Sequence, residues 1–118
     1  MIRAILIILT ALAAHPGDAA PLTGPELKAL MPKIEIKRVR GWQVFFPDGT
    51  WNAIRRNGRG PGGTWWVAQD RLCLRSSELD RSRCFRVEAV GRGRLNRLHE
   101  LILTGPDGTR IIERAQMK

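Results

Sequence analysis

Beyond an apolar opening and one short helical pattern, the chain alternates brief apolar segments with polar breaks. IEIKRV, WQVFF, TWNAI, TWWVA, RLCLR, RCFRVEAV, ELILT and TRIIER are rich in β-branched and aromatic residues. RGW, FPDGT, RNGRGPGG, AQD, SSELD, GRGR and TGPDGT separate them. Short strands at close, regular spacing predict an all-β domain. The expected form is a small antiparallel barrel or a strongly curved meander sheet.

Two of the breaks are the same turn. Pro47–Gly49 and Pro106–Gly108 both read PDG and are followed by threonine. Proline sets φ at the first corner, aspartate bonds back to the turn backbone, and glycine accepts a positive φ. Each turn therefore joins neighbouring antiparallel strands. Ahead of the strands, Thr23 and Glu26 form a capping-box pattern with Pro25 in the first turn. Leu27, Leu30 and Met31 share one face at helical spacing. A short helix is expected over about Gly24 to Met31, ended by Pro32. Towards the C-terminus, His99–Thr104 reads as a strand of a hairpin. Leu95–Leu98 fits helix or strand equally.

The register of one hairpin follows from its cysteines. With RLCLR and RCFRV antiparallel around SSELD, Cys73 faces Cys84, Leu72 faces Phe85 and Leu74 faces Arg83. Side chains alternate across a strand. Leu72, Leu74, Phe85 and Val87 then point to the core. The cysteines point outward beside Arg71, Arg75, Arg86 and Glu88. In an oxidising compartment such a pair forms a disulfide. Zinc needs four ligands, and His99 is the sole histidine after His15. A redox pair favours C-x-x-C spacing. No metal site and no cofactor are expected.

The N-terminus bears on compartment. Arg3 precedes an apolar run from Ala4 to Ala14, and small residues follow. A basic start, an apolar centre of ~7–15 residues and a small-residue cleavage site make a secretory signal peptide. A bilayer span needs about 20 apolar residues. Residues 1–19 are read as the signal peptide, although a cut after Ala13 also fits. Residues 20–118 are read as one β domain, periplasmic or secreted, with no lipobox cysteine and no membrane span. A monomer is the default.

Charge then narrows the partners. The 118 residues hold 20 Lys+Arg against 11 Asp+Glu, a formal net charge of +9. Removing Arg3 and Asp18 with the leader leaves that value unchanged. Such a surface attracts anions and speeds encounter with acidic partners. In an exported protein these are anionic envelope components or acidic proteins rather than nucleic acid. Arg55, Arg56 and Arg59 sit in RRNGRGPGG, read as a glycine-rich basic loop able to wrap a phosphate or carboxylate. It lacks P-loop spacing. Arg71, Arg75 and Arg86 form a second candidate anion face. Trp42, Trp51, Trp65 and Trp66 make a heavy indole load with no tyrosine. They either plug the ends of a barrel or form an aromatic patch for a partner. Trp65 and Trp66 must point to opposite faces.

The order LTGPELKALMP, WQVFFPDGT, GGTWWVAQDRLCLR and RCFRV resembles a group of small bacterial exported proteins of uncharacterised function. Those share a short leading helix, a DGT turn, a GTW strand and a Leu-Cys/Cys-aromatic strand pair. The resemblance implies a compact periplasmic β domain with no known catalytic residues. A fainter likeness, through Gly63 and Trp65, is to lipocalin-like barrels including periplasmic protease inhibitors, in which G-x-W lies on the first strand. No G-x-S-x-G motif is present, and His99 has no nucleophile near it in sequence. The expectation is a non-catalytic binding or inhibitory module for an anionic ligand or acidic protein. The alternative is a structural or stress-tolerance envelope protein with no discrete ligand.

Overall fold

A computed structural model describes residues 20–94 and 97–118. The expected signal peptide at 1–19 and Leu95 lie outside the described residues. Eight antiparallel strands close into one barrel in chain order. They are β1 Ile34–Arg38, β2 Gly41–Phe45, β3 Thr50–Arg55, β4 Gly58–Ala68, β5 Arg71–Ser76, β6 Ser82–Arg92, β7 Arg97–Thr104 and β8 Arg110–Met117. The seam is the β1–β8 pair, with Ile36 opposite Ala115 and Ile34 opposite Met117. Closure leaves no free sheet edge, so every strand has two ladder neighbours. Leu98 lies within β7, which resolves that position as strand.

Helix α1, Gly24–Leu30, precedes the barrel and runs into a single 3-10 turn at Met31–Lys33. Its capping box is complete: the Glu26 amide donates to the Thr23 side chain, and the Thr23 amide donates to Glu26 Oε1 at 2.8 Å. The Gly24 amide donates to Asp70 Oδ1 at 2.6 Å, which ties α1 to the β4–β5 turn. Gln69 and Asp70 both hold positive φ there, 53° and 58°. Leu27 and Met31 are fully buried in the same cluster as Ile34, Phe45 and Trp65. Helix α1 thus closes the end of the barrel where β1 begins and β4 ends.

The alternation inside the strands sets the core. Ile34, Ile36, Phe45, Trp65, Leu72, Phe85, Val87, Leu101, Leu103 and Ala115 fill the closed half. Phe45 and Trp65 pack edge to face with ring centroids 6.0 Å apart. The Trp65 indole N–H donates to the Phe46 carbonyl at 2.8 Å, so the buried ring leaves no polar atom unpaired. Both PDG turns have the expected construction. Gly49 and Gly108 have φ 91° and 86°. Asp48 Oδ1 accepts from the Thr50 amide at 3.0 Å, and Asp107 Oδ1 accepts from the Thr109 amide at 3.0 Å.

One stretch is organised differently from its sequence reading. RRNGRGPGG is not a loop: only Arg56 and Asn57 form the turn, and Gly58 onward belongs to β4. Glycine and proline have low strand propensity, which is why the stretch reads as a break. Here they make room for large neighbours. A Cβ at Gly63 would collide with the Arg75 carbonyl oxygen and come within 2.8 Å of the Trp51 indole nitrogen. One at Gly60 would come within 2.8 Å of Arg55 Nε. A register shift between Asn52 and Ile54 accommodates Pro61.

Candidate functional site

The barrel interior changes character away from α1. Beyond Ile34 and Ile36, the next inward residue of β1 is Arg38. Its Nη1 donates to Glu113 Oε2 at 2.5 Å, and its Nε donates to Gln43 Oε1 at 3.2 Å. Glu113 faces inward because it pairs with the buried Leu101. Gln43 is itself buried, at 5% exposure. This triad spans the seam and fixes the Arg38 guanidinium at the open mouth. Arg55 faces the same mouth from the end of β3, opposite Gly41 and Gly58.

Outside the mouth, two hairpin tips stand side by side. The β1–β2 tip carries Val39 and Arg40, and the β3–β4 tip carries Arg56 and Asn57. Together they border an open groove of about 810 Å³ lined by Lys37, Arg38, Arg40, Arg55 and Arg56 around Trp42. Among the described residues, no carboxylate lines it. A second opening of about 510 Å³ runs from it into the mouth, past Gln43, Trp51, Ala53 and Pro61. Five cations with one internal counter-charge, Glu113 on Arg38, make a region that draws anions.

A transverse row underlies the groove on the outer face. Lys37 pairs with Trp42, Trp42 with Ile54, and Ile54 with Arg59. The Lys37 ammonium lies 5.2 Å from the Trp42 ring centroid, a cation–π contact. Ile54 is 41% exposed and Val39 is wholly exposed.

The residues singled out in the sequence divide among several places. Arg55 and Arg56 line the groove with Trp42, whereas Arg59 is not among the groove's lining residues and pairs with Ile54 at the end of the outer row. Arg71, Arg75 and Arg86 lie on the opposite flank of the molecule's sequence of strands, on the outer face of β5 and β6. Arg75 is ion-paired with Asp80 there. The four tryptophans do not form one patch. Trp65 is core, and Trp51 is half-buried inside, its indole N–H donating to the Arg75 carbonyl at 3.2 Å. Trp66 stands on the outside opposite Cys73. Helix α1 covers the closed end, and Trp65 is buried in the same cluster as its Leu27 and Met31. Cys73 and Cys84 are disulfide-bonded with Cα atoms 4.0 Å apart, in the expected register with Leu72 opposite Phe85.

Sequence reasoning missed Lys37, Arg38 and Arg40 as site residues. The signal is the KRVR run at Lys37–Arg40, which locally reads only as a strand end and turn. Among the described residues, no three His, Cys, Asp or Glu side chains come together as a metal would need. None of their helices is long and apolar enough to cross a membrane. The fold and site thus define an eight-stranded up-and-down barrel with a helical plug at one end and a basic mouth at the other. Compared with known proteins, the chain matches no family model, no curated protein and no solved structure.

Proposed function

We propose that this is an exported, non-catalytic binding or inhibitory module whose ligand is an anionic envelope component or an acidic protein. One observation carries the reading: two adjacent hairpin tips gather Lys37, Arg38, Arg40, Arg55 and Arg56 around Trp42, with no carboxylate in the lining among the described residues. Like charges so concentrated repel one another in the free protein, and an anionic partner relieves that repulsion. The disulfide supports an oxidising compartment, in keeping with the apolar leader and with the resemblance to small periplasmic β-domain proteins.

Capture from envelope extract tests the reading. Immobilised protein should retain an anionic species at low salt and release it as ionic strength rises. Alanine at Arg40, Arg55 and Arg56 should weaken retention without unfolding the barrel, because all three side chains are exposed. Alanine at Arg71 and Arg86 should leave it unchanged. Equal, negligible capture at low and moderate salt counts against the proposal.

A further inference from the structure

Resting on the reading of the mouth as an anion-binding site, we propose that its ligand is the surface of an anionic phospholipid bilayer, entered tip-first by the β1–β2 hairpin. The mouth is more than a cluster of charge. Val39 projects from the tip between Arg38 and Arg40 and is wholly exposed. Behind it on the outer face lie Trp42 and the 41% exposed Ile54. Lys37 and Arg59 end that row, while Arg40 and Arg56 stand at the two tips. An apolar centre inside a cationic ring is the composition that peripheral membrane contacts use. Apolar side chains enter the headgroup–acyl boundary, and cations meet the phosphates.

The aromatic residue is placed to suit this arrangement. Indole rings favour the headgroup level, where one side is apolar and the other wet. Trp42 is half-buried one step below the tip, with the Lys37 ammonium over its ring. Lysine and arginine stems run along apolar surface while their charged heads reach the phosphates. Shape separates a bilayer from a folded acidic protein. A protein partner must offer a hole fitted to the lone Val39, whereas a fluid headgroup layer accepts a projecting tip anywhere.

Vesicle co-sedimentation of the oxidised protein tests this, using phosphatidylglycerol–phosphatidylcholine vesicles against pure phosphatidylcholine. Binding is expected only to the anionic vesicles, and is expected to weaken steeply by about 0.5 M salt, as the Debye length falls to a few ångströms. Val39→Asp should weaken it at least about tenfold, the effect of losing a modest buried aliphatic group. The double change Arg40→Gln with Arg56→Gln should weaken it about thirtyfold, roughly fivefold per charge. Tryptophan emission should shift to the blue on vesicle addition, and Trp42→Phe should abolish the shift while Trp66→Phe retains it. Far-UV circular dichroism confirms that each variant keeps its fold.

Anionic-vesicle binding unchanged by Val39→Asp overturns the insertion. Displacement by free glycerol phosphate also overturns it, since that marks a small-anion pocket. Capture of dextran sulfate or an acidic protein without vesicle binding overturns the bilayer proposal and leaves the anionic-ligand reading standing. Binding to none of these sinks both.

Discussion

At the scale of single residues, chemistry concentrates in the disulfide and in two aspartates. Cys73 and Cys84 close a loop of sequence separation 11. Chain-entropy arguments give such a closure about 3 kcal/mol. The double variant Cys73→Ala with Cys84→Ala should lose about that much, read as a lower urea midpoint together with a higher m-value, because the uncross-linked denatured chain exposes more surface. Asp48 and Asp107 both sit below their ordinary pKa of 3.8. For Asp48 the main cause is the Thr50 hydroxyl, then the Thr50 amide. For Asp107 it is the Thr109 amide, then the hydroxyl. A folded pKa below the unfolded one means that stability is present above pH 3.8 and drains away as pH falls through the lower folded value. Acid titration of thermal stability should show this decline, and Asp48→Asn with Asp107→Asn should flatten it. Both aspartates are legible as turn formers in the sequence, because a turn's hydrogen bonds reach only two residues along the chain.

At the scale of elements, β4 and α1 show where local reading holds and where it stops. The capping box, the proline in the first helical turn and the apolar spacing of Leu27 and Met31 are all local, so α1 is legible within a residue or so. What α1 covers is not, because its anchor on Asp70 lies 46 positions away. Asp70→Ala should cost about 2 kcal/mol, from the lost charged acceptor and the left-handed φ that alanine resists. A denaturation curve followed by Trp65 emission would register it. In β4 the local signal points the wrong way. The glycines carry no strand propensity, yet they pair because Trp51 and Arg55 from β3 and the Arg75 carbonyl from β5 occupy the space a side chain would need. Gly63→Ala should therefore destabilise the barrel by about 3 kcal/mol, towards the severe end for overpacking against backbone, and calorimetry would show a lowered Tm.

At the scale of the whole molecule, closure and charge dominate. The β1–β8 seam joins Ile36 to Ala115 through the core, while Arg38 and Glu113 join the same two strands across the mouth. A formal net charge of +9 on a domain this small opposes compaction. Stability should accordingly rise with added salt, by on the order of a few degrees in Tm, until screening is complete. A fall over the same range would mean that the Arg38–Glu113 contact outweighs the general repulsion. The sequence alone determined the strand alternation, both PDG turns, the short helix, the Cys73–Cys84 register and the excess of positive charge. Each of these depends on neighbours in the chain, on side-chain period, or on composition. Only the tertiary structure decided that the sheet closes, that α1 plugs one end, and that KRVR stands beside Arg55 and Arg56 at the other. Those outcomes depend on how strand twist and tilt bring distant residues together, and no local pattern encodes that distance.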